Sequence, residues 1–194
     1  MAKLQATPVA DADLEAAFFA RDRRRTLALL MARHGARIYR YAMAMTHMRD
    51  VAEDVRQQVF VEAYRDLGSV ADPASLAMWI FRIARHRCLD AVSALARWNQ
   101  RHVPELPDGP EQRGHEPDRD LDRRRLADTL ASCLARLAPA ARDAVVLRYQ
   151  QQLSYDEAAA VAGDLPGTLQ RRVARALPVL RRCVEATLPP GEPQ

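Results

Sequence analysis

The sequence predicts an all-α protein of two small helical lobes joined by a linker, and three observations carry that prediction. Glycine is scarce, with 7 in 194 residues. No segment sustains the apolar and polar alternation of a strand, and long segments repeat apolar residues at helical spacing. The sustained interruption is "HVPELPDGPEQRGHEPD", residues 102–118, where proline, glycine and acidic residues cluster without an apolar face. With 48% hydrophobic residues, a chain of this length holds one modest core or two small ones. The expected organisation is an N-terminal extension with the start of the first helix (1–25), a first lobe (26–101), a linker (102–120), a second lobe (121–188) and a tail (189–194).

The first helical pattern covers residues 11–47 and the second 49–67. In the second, Val51, Val55, Val59, Phe60 and Ala63 form a packing stripe. Asp50, Glu53, Asp54, Gln57, Gln58 and Val61 fall on another face at i, i+3, i+4 and i+7 spacing. That second strip reads equally as a solvated face or as a docking surface for a basic partner. "DLGSVADPAS" follows, a tight connection with an Asp-Pro turn signal.

The third pattern, residues 73–99, is expected to bury Leu76, Trp79, Ile80, Ile83, Ala84, Ala91 and Leu95. Its opposite stripe carries Arg82, Arg85, His86, Ser93 and Arg97, with Arg101 just beyond. Charge of almost one sign with few acidic partners favours phosphate contact over an ordinary solvated face. Beyond the linker, helices are expected over residues 121–137, 140–150, 154–162 and 166–188.

The last two of these have the layout of a helix-turn-helix. Ser154 with Glu157 is a capping box, and the alanine-rich helix that follows allows close crossing. Gly163 supplies a left-handed stop, Asp164 is placed to cap the next helix, and Pro166 sits in its first turn. Leu169, Val173, Ala176 and Leu180 then face inward, leaving Thr168, Gln170, Arg171, Arg172 and Arg175 outward on the half that a recognition helix presents to the major groove. An αα-hairpin with a basic surface is the plainer alternative. Pro178 removes a backbone bond and predicts a kink or restart near Leu177.

Net charge is +4, and Lys3 is the only lysine, so nearly all positive charge is guanidinium. Cys88, Cys133 and Cys183 are an odd number, far apart and without a Cys-x-x-Cys pair, so neither a disulfide framework nor a zinc site is indicated, and a reducing cytoplasm fits best. No apolar leader or stretch of membrane-spanning length is visible. "RHG" at 33–35 matches a short phosphatase signature but falls within a helical pattern, and His86 and Cys88 point apart on a helix. No catalytic residues, metal or cofactor are expected.

These pieces, in this order, resemble bacterial RNA polymerase sigma factors of the extracytoplasmic-function (ECF, group 4) class. "RDVAEDVRQQVFVEAYRDL" is similar to the family's region 2.2, and "MWIFRIARHRCLDAV" to its regions 2.3 and 2.4. "LARLAPAARDAVVLRYQQQLSYDEAAAVAGDLPGTLQRRVARAL" is similar to region 4, and the resemblance covers roughly residues 27–185. It implies a transcription initiation factor with core RNA polymerase and promoter DNA as partners, an anti-sigma protein as a further partner, and catalysis left to the polymerase. Asp50, Glu53, Asp54, Gln57, Gln58 and Phe60 then occupy the motif that docks on the clamp helices of the largest subunit. Arg82, Arg85, His86, Ser93 and Arg97 fall to the minus-ten strand, with a flipped base captured in the loop near residues 68–75. Thr168, Gln170, Arg171, Arg172 and Arg175 fall to the minus-thirty-five duplex, while region 4 sits on the flap of the second-largest subunit. Glu105, Asp108, Glu111, Glu116, Asp118, Asp120 and Asp122 make the linker acidic, as nucleic-acid mimicry or ordinary disorder would.

His86 stands where the family usually has asparagine, and Ser93 where arginine is common. The turn Gly-Asp-Leu-Pro-Gly-Thr departs from Gly-Ile-Pro-x-Gly-Thr, so promoter preference is not read from the family. Two rivals stay open: a stand-alone helix-turn-helix regulator, and a sigma-like interaction protein that binds without initiating.

Overall fold

Eight α-helices and no strand occur among residues 11–101 and 119–187, the residues described by the computed structural model. The linker residues 102–118 and the tail from 188 lie outside them. The helix expected over residues 11–47 is in fact two, α1 (Asp11–Phe19) and α2 (Arg23–Thr46). Arg21 turns left-handed at φ 55°, and the Asp22 carboxylate accepts the Arg25 amide at 3.0 Å to start α2. An aspartate ahead of a periodic run is a start signal. Here it lay hidden in a run of arginines.

α2 buries Leu30, Ile38, Tyr41 and Met45, and α3 (Arg49–Asp66) buries Ala52, Val55, Val59, Phe60 and Ala63. Two 3-10 turns, Leu67–Ser69 and Pro73–Ser75, carry the chain into α4 (Leu76–Arg101). Asp72 accepts the Ala74 amide at 3.0 Å there, which fixes the turn ahead of the helix. α4 closes the three-helix core with Leu76, Ile80, Ile83 and Ala84. Removing each of the large aliphatic side chains from water contributes about 1.5–3 kcal/mol. Trp79, Ala91 and Leu95 differ from the expected pattern in being only half-buried. The far turns of α4 face the start of α3, around Val51 and Val55, and the end of α2 at Met45 and Thr46.

The second lobe holds α5 (Arg119–Ala135), α6 (Pro139–Val145), a π turn (Val146–Gln150), α7 (Tyr155–Ala162) and α8 (Pro166–Thr187). α5 begins inside the expected linker. The helix expected over 140–150 widens at Val146, and the wide turn delivers Gln151 to the first lobe. α8 buries Leu169, Val173, Ala176 and Leu180. It runs unbroken through Pro178, so the expected restart is absent. Packing against α5 and α6 holds α8, and Pro178 faces outward.

Cys133 of α5 and Cys183 of α8 are joined by a disulfide, with Cα atoms 5.8 Å apart. This corrects the expectation drawn from cysteine spacing. Fifty residues of separation along the chain say nothing of two helices that pack side by side. Cys88 stays free and buried, and burial pushes its thiol pKa up, leaving an unreactive group. No helix among the described residues is long and apolar enough to cross a membrane. Nor does any group of three or more His, Cys, Asp or Glu among them suit a metal ion.

His34 is buried against the Phe81 ring, 5.9 Å between centroids, with Nδ1 unpartnered. Burial, then Arg37 and Arg33, lowers its pKa from 6.5 to about 4. The unfolded chain therefore binds the extra proton first. Stability is complete above pH 6.5 and is lost as pH falls toward 4, by roughly 2–3 kcal/mol. His34→Leu should flatten that acid slope in urea titrations, and an unchanged slope would assign the proton elsewhere. Separately, Cys183→Ser should lower stability by about 2–4 kcal/mol in oxidising buffer. With reductant, wild type and variant should share one midpoint.

Candidate nucleic-acid interface

The turn between α7 and α8 is built as its sequence implies. Ser154 Oγ accepts the Glu157 amide at 3.1 Å, and Glu157 accepts the Ser154 amide at 2.8 Å, a complete capping box. Those bonds also hold the Glu157 carboxyl below its usual range, the backbone bond from Ser154 foremost. Gly163 ends α7 at φ 64°, a left-handed conformation that costs glycine nothing.

Asp164 differs from its expected role. Its carboxylate accepts the adjacent Leu165 amide at 2.8 Å and pairs with Arg172 at 2.6 Å. The Leu165 carbonyl receives the Thr168 and Leu169 amides instead. Hydrogen bonding from Leu165 and then the Arg172 charge keep the Asp164 pKa low. Arg172 is thereby tied down beside the turn. Gln170, Arg171 and Arg175 remain exposed on the outer face, with Thr168 half-buried and 3.4 Å from an Arg171 nitrogen.

On α4, Arg82, His86, Ser93 and Arg97 are exposed, and His86 Nδ1 lies 3.6 Å from Asp90. Arg85 is different. Its Nε donates to Asp143 Oδ2 at 2.7 Å, and Tyr41 donates to Asp143 Oδ1 at 2.6 Å. Asp143 is 1% exposed, so a first-lobe arginine is committed to a buried carboxylate of the second lobe. Burial, followed by the Asp143 charge, raises the Tyr41 pKa and keeps its hydroxyl a donor. Alongside, Arg142 donates to the carbonyls of Leu134, Ala135 and Leu137 at the end of α5 and to Met45 O of α2. Arg37 donates to Gln151 O at 2.9 Å and stacks on Phe81 at 4.9 Å. Spacing along the chain had no means of finding Tyr41, Arg142, Asp143 or Gln151, because each gains its role from the other lobe.

On α3, Asp50, Asp54, Gln57 and Gln58 are exposed, with Val61 53% exposed among them. Glu53 is half-buried and paired with Arg56, which lowers its pKa. Phe60, placed in the packing stripe by its spacing and in the docking motif by the resemblance, is 5% exposed and belongs to the core beside Gly35. It is not available to a docking partner in this arrangement. The exposed strip is therefore narrower than expected.

Comparison with known proteins follows the same division. The Sigma-70 region 2 family matches residues 30–98, and the Sigma-70, region 4 family matches residues 127–177. ECF RNA polymerase sigma factor SigE of Mycolicibacterium smegmatis is 31% identical over 152 residues, 78% of this chain and 59% of that protein. The match thus spans under two thirds of SigE's length. RNA polymerase sigma factor CarQ of Myxococcus xanthus is 31% identical over 158 residues, covering 78% of this chain and 85% of CarQ. The structure of CnrH in complex with the cytosolic domain of CnrY superposes with a TM-score of 0.67 at 25% identity, over 93% of this chain and 99% of that one.

The seam makes a testable prediction. Asp143→Ala leaves the Tyr41 hydroxyl and the Arg85 guanidinium without their acceptor and should cost about 1–3 kcal/mol. The radius of gyration from X-ray scattering should rise as the lobes part. Tyr41→Phe, which leaves the Arg85 pair intact, should cost less and keep the lobes together. Equal compactness of Asp143→Ala and wild type would show that other contacts hold the seam.

Proposed function

Because this chain belongs to the extracytoplasmic-function RNA polymerase sigma factors, we propose that it binds core RNA polymerase and directs it to promoters by reading a minus-ten and a minus-thirty-five element. The observation that carries the reading is a capped helix-turn-helix with Gln170, Arg171 and Arg175 exposed, on one chain with a lobe whose α4 exposes Arg82, His86 and Arg97. Arginine suits guanine and glutamine suits adenine in the major groove, so the first half of α8 takes the duplex element. α4 and the loop before it take the opened minus-ten strand. Asp50, Asp54, Gln57, Gln58 and Val61 offer the clamp helices of the largest subunit an acid and amide surface with an apolar centre. The polymerase performs the chemistry in the cytoplasm, and the sigma factor supplies the address.

Minus ten and minus thirty-five lie roughly 25 base pairs apart, about 85 Å along B-DNA at 3.4 Å per step. Lobes joined through Asp143 do not span that distance. Polymerase binding therefore opens the seam and releases Arg85 to the minus-ten strand. An anti-sigma protein that grips the closed form would hold Arg85 away from DNA.

Transcription reconstituted with purified core polymerase and a genomic template pool tests the reading. A protein-dependent set of initiation sites is expected. A stand-alone regulator would produce none, and that result would end the sigma assignment. Within the same assay, Arg171→Ala and Arg175→Ala should each weaken minus-thirty-five use by about 1–3 kcal/mol, roughly 5- to 150-fold, with core affinity unchanged. Parallel loss of core binding would place these arginines elsewhere than on DNA.

A further inference from the structure

The corner between α1 and α2 lies on the far side of the first lobe's loop from α4. Its sequence is "FFARDRRR", residues 18–25, two aromatics against a run of arginines. The left-handed turn at Arg21 ends α1 abruptly and leaves Phe19 69% exposed, braced edge-on by Phe18 at 5.9 Å. That leaves a large apolar ring open to solvent beside exposed arginines.

Across from the ring lies the loop that joins α3 to α4. Phe19, Arg21 and Arg23 form one wall of a cleft of about 600 Å³, and Gly68, Val70 and Ala71 form the other. Arg23 is rigidly set: one guanidinium nitrogen donates to the carbonyls of Tyr64 and Arg65 at 2.8 Å each, and the group stacks over the Tyr64 ring at 5.4 Å. That ties the corner to the end of α3. Among the described residues no carboxylate pairs with Arg21, Arg24 or Arg25, all of which are exposed. An aromatic face beside unneutralised guanidinium groups, on the wall of an open cleft, is an arrangement that suits a base of a single strand with its phosphates.

We propose that Phe19 is a stacking platform for one unpaired base of the promoter strand, with Arg21 and Arg24 on its flanking phosphates, so that the N-terminal corner closes the pocket begun by the Gly68 to Ala71 loop. The inference rests on the promoter-reading function, which brings that loop to the opened strand. It extends the nucleic-acid surface to the far side of the loop, across from α4.

The test uses the full-length protein and a 12-nucleotide single-stranded DNA selected from a randomised pool, with affinity read by fluorescence anisotropy. Phe19→Ala should weaken binding at least 5-fold, while Phe19→Tyr should restore it. Because Phe19 is exposed, the alanine variant should keep the wild-type circular dichroism and unfolding midpoint. Abasic substitution, one nucleotide at a time, should then reveal a position whose removal weakens wild type but leaves Phe19→Ala unaffected. Arg21→Gln should shallow the salt dependence by about 0.7 in the log–log slope. Equal affinity of Phe19→Ala and wild type overturns the platform while leaving the sigma function standing. Failure of wild type to select any strand overturns the platform too, and with no core-dependent transcript in the earlier assay it overturns the function as well.

Discussion

The buried Asp143 carboxylate, held by Tyr41 from α2 and Arg85 from α4, is the contact on which the arrangement of the two lobes depends. A carboxylate at 1% exposure is tolerable only with charge-assisted partners on its oxygens. The first lobe supplies both. Neighbouring Arg142 performs the complementary task, giving its guanidinium donors to carbonyls left open where α5 and α2 end. Two consecutive residues of α6 thus satisfy polar groups from several helices at one seam.

That economy has a functional consequence for α4. One of its arginines, Arg85, serves the seam, whereas Arg82, His86 and Arg97 face outward. The helix proposed to meet the opened strand is also a strut against α7. Under the proposed function, closed and promoter-bound states compete for the same guanidinium, which would link lobe separation to DNA contact. Within the second lobe the Cys133 and Cys183 bridge ties α5 to α8 independently of the seam.

Local signals were plain in the sequence wherever they acted within a few residues. Ser154 and Glu157 announce their capping box, Gly163 its left-handed stop, and Leu169, Val173, Ala176 and Leu180 the inward stripe of α8. The outward positions of Gln170, Arg171 and Arg175 follow from that stripe. Where a side chain had two neighbours to choose from, spacing misled: Arg172 folds back onto Asp164, and α8 passes Pro178 because packing against other helices holds it.

The sequence by itself determined the helical class, the two lobes and the character of each outward face, because helix periodicity and capping are set by residues three or four apart. Only the tertiary structure decided that Cys133 meets Cys183, that Arg85 is spent on Asp143, and that Phe19 stands across a cleft from Gly68. Each of these joins residues about fifty or more apart. Their partners are chosen by how helices pack, and no local pattern encodes that choice.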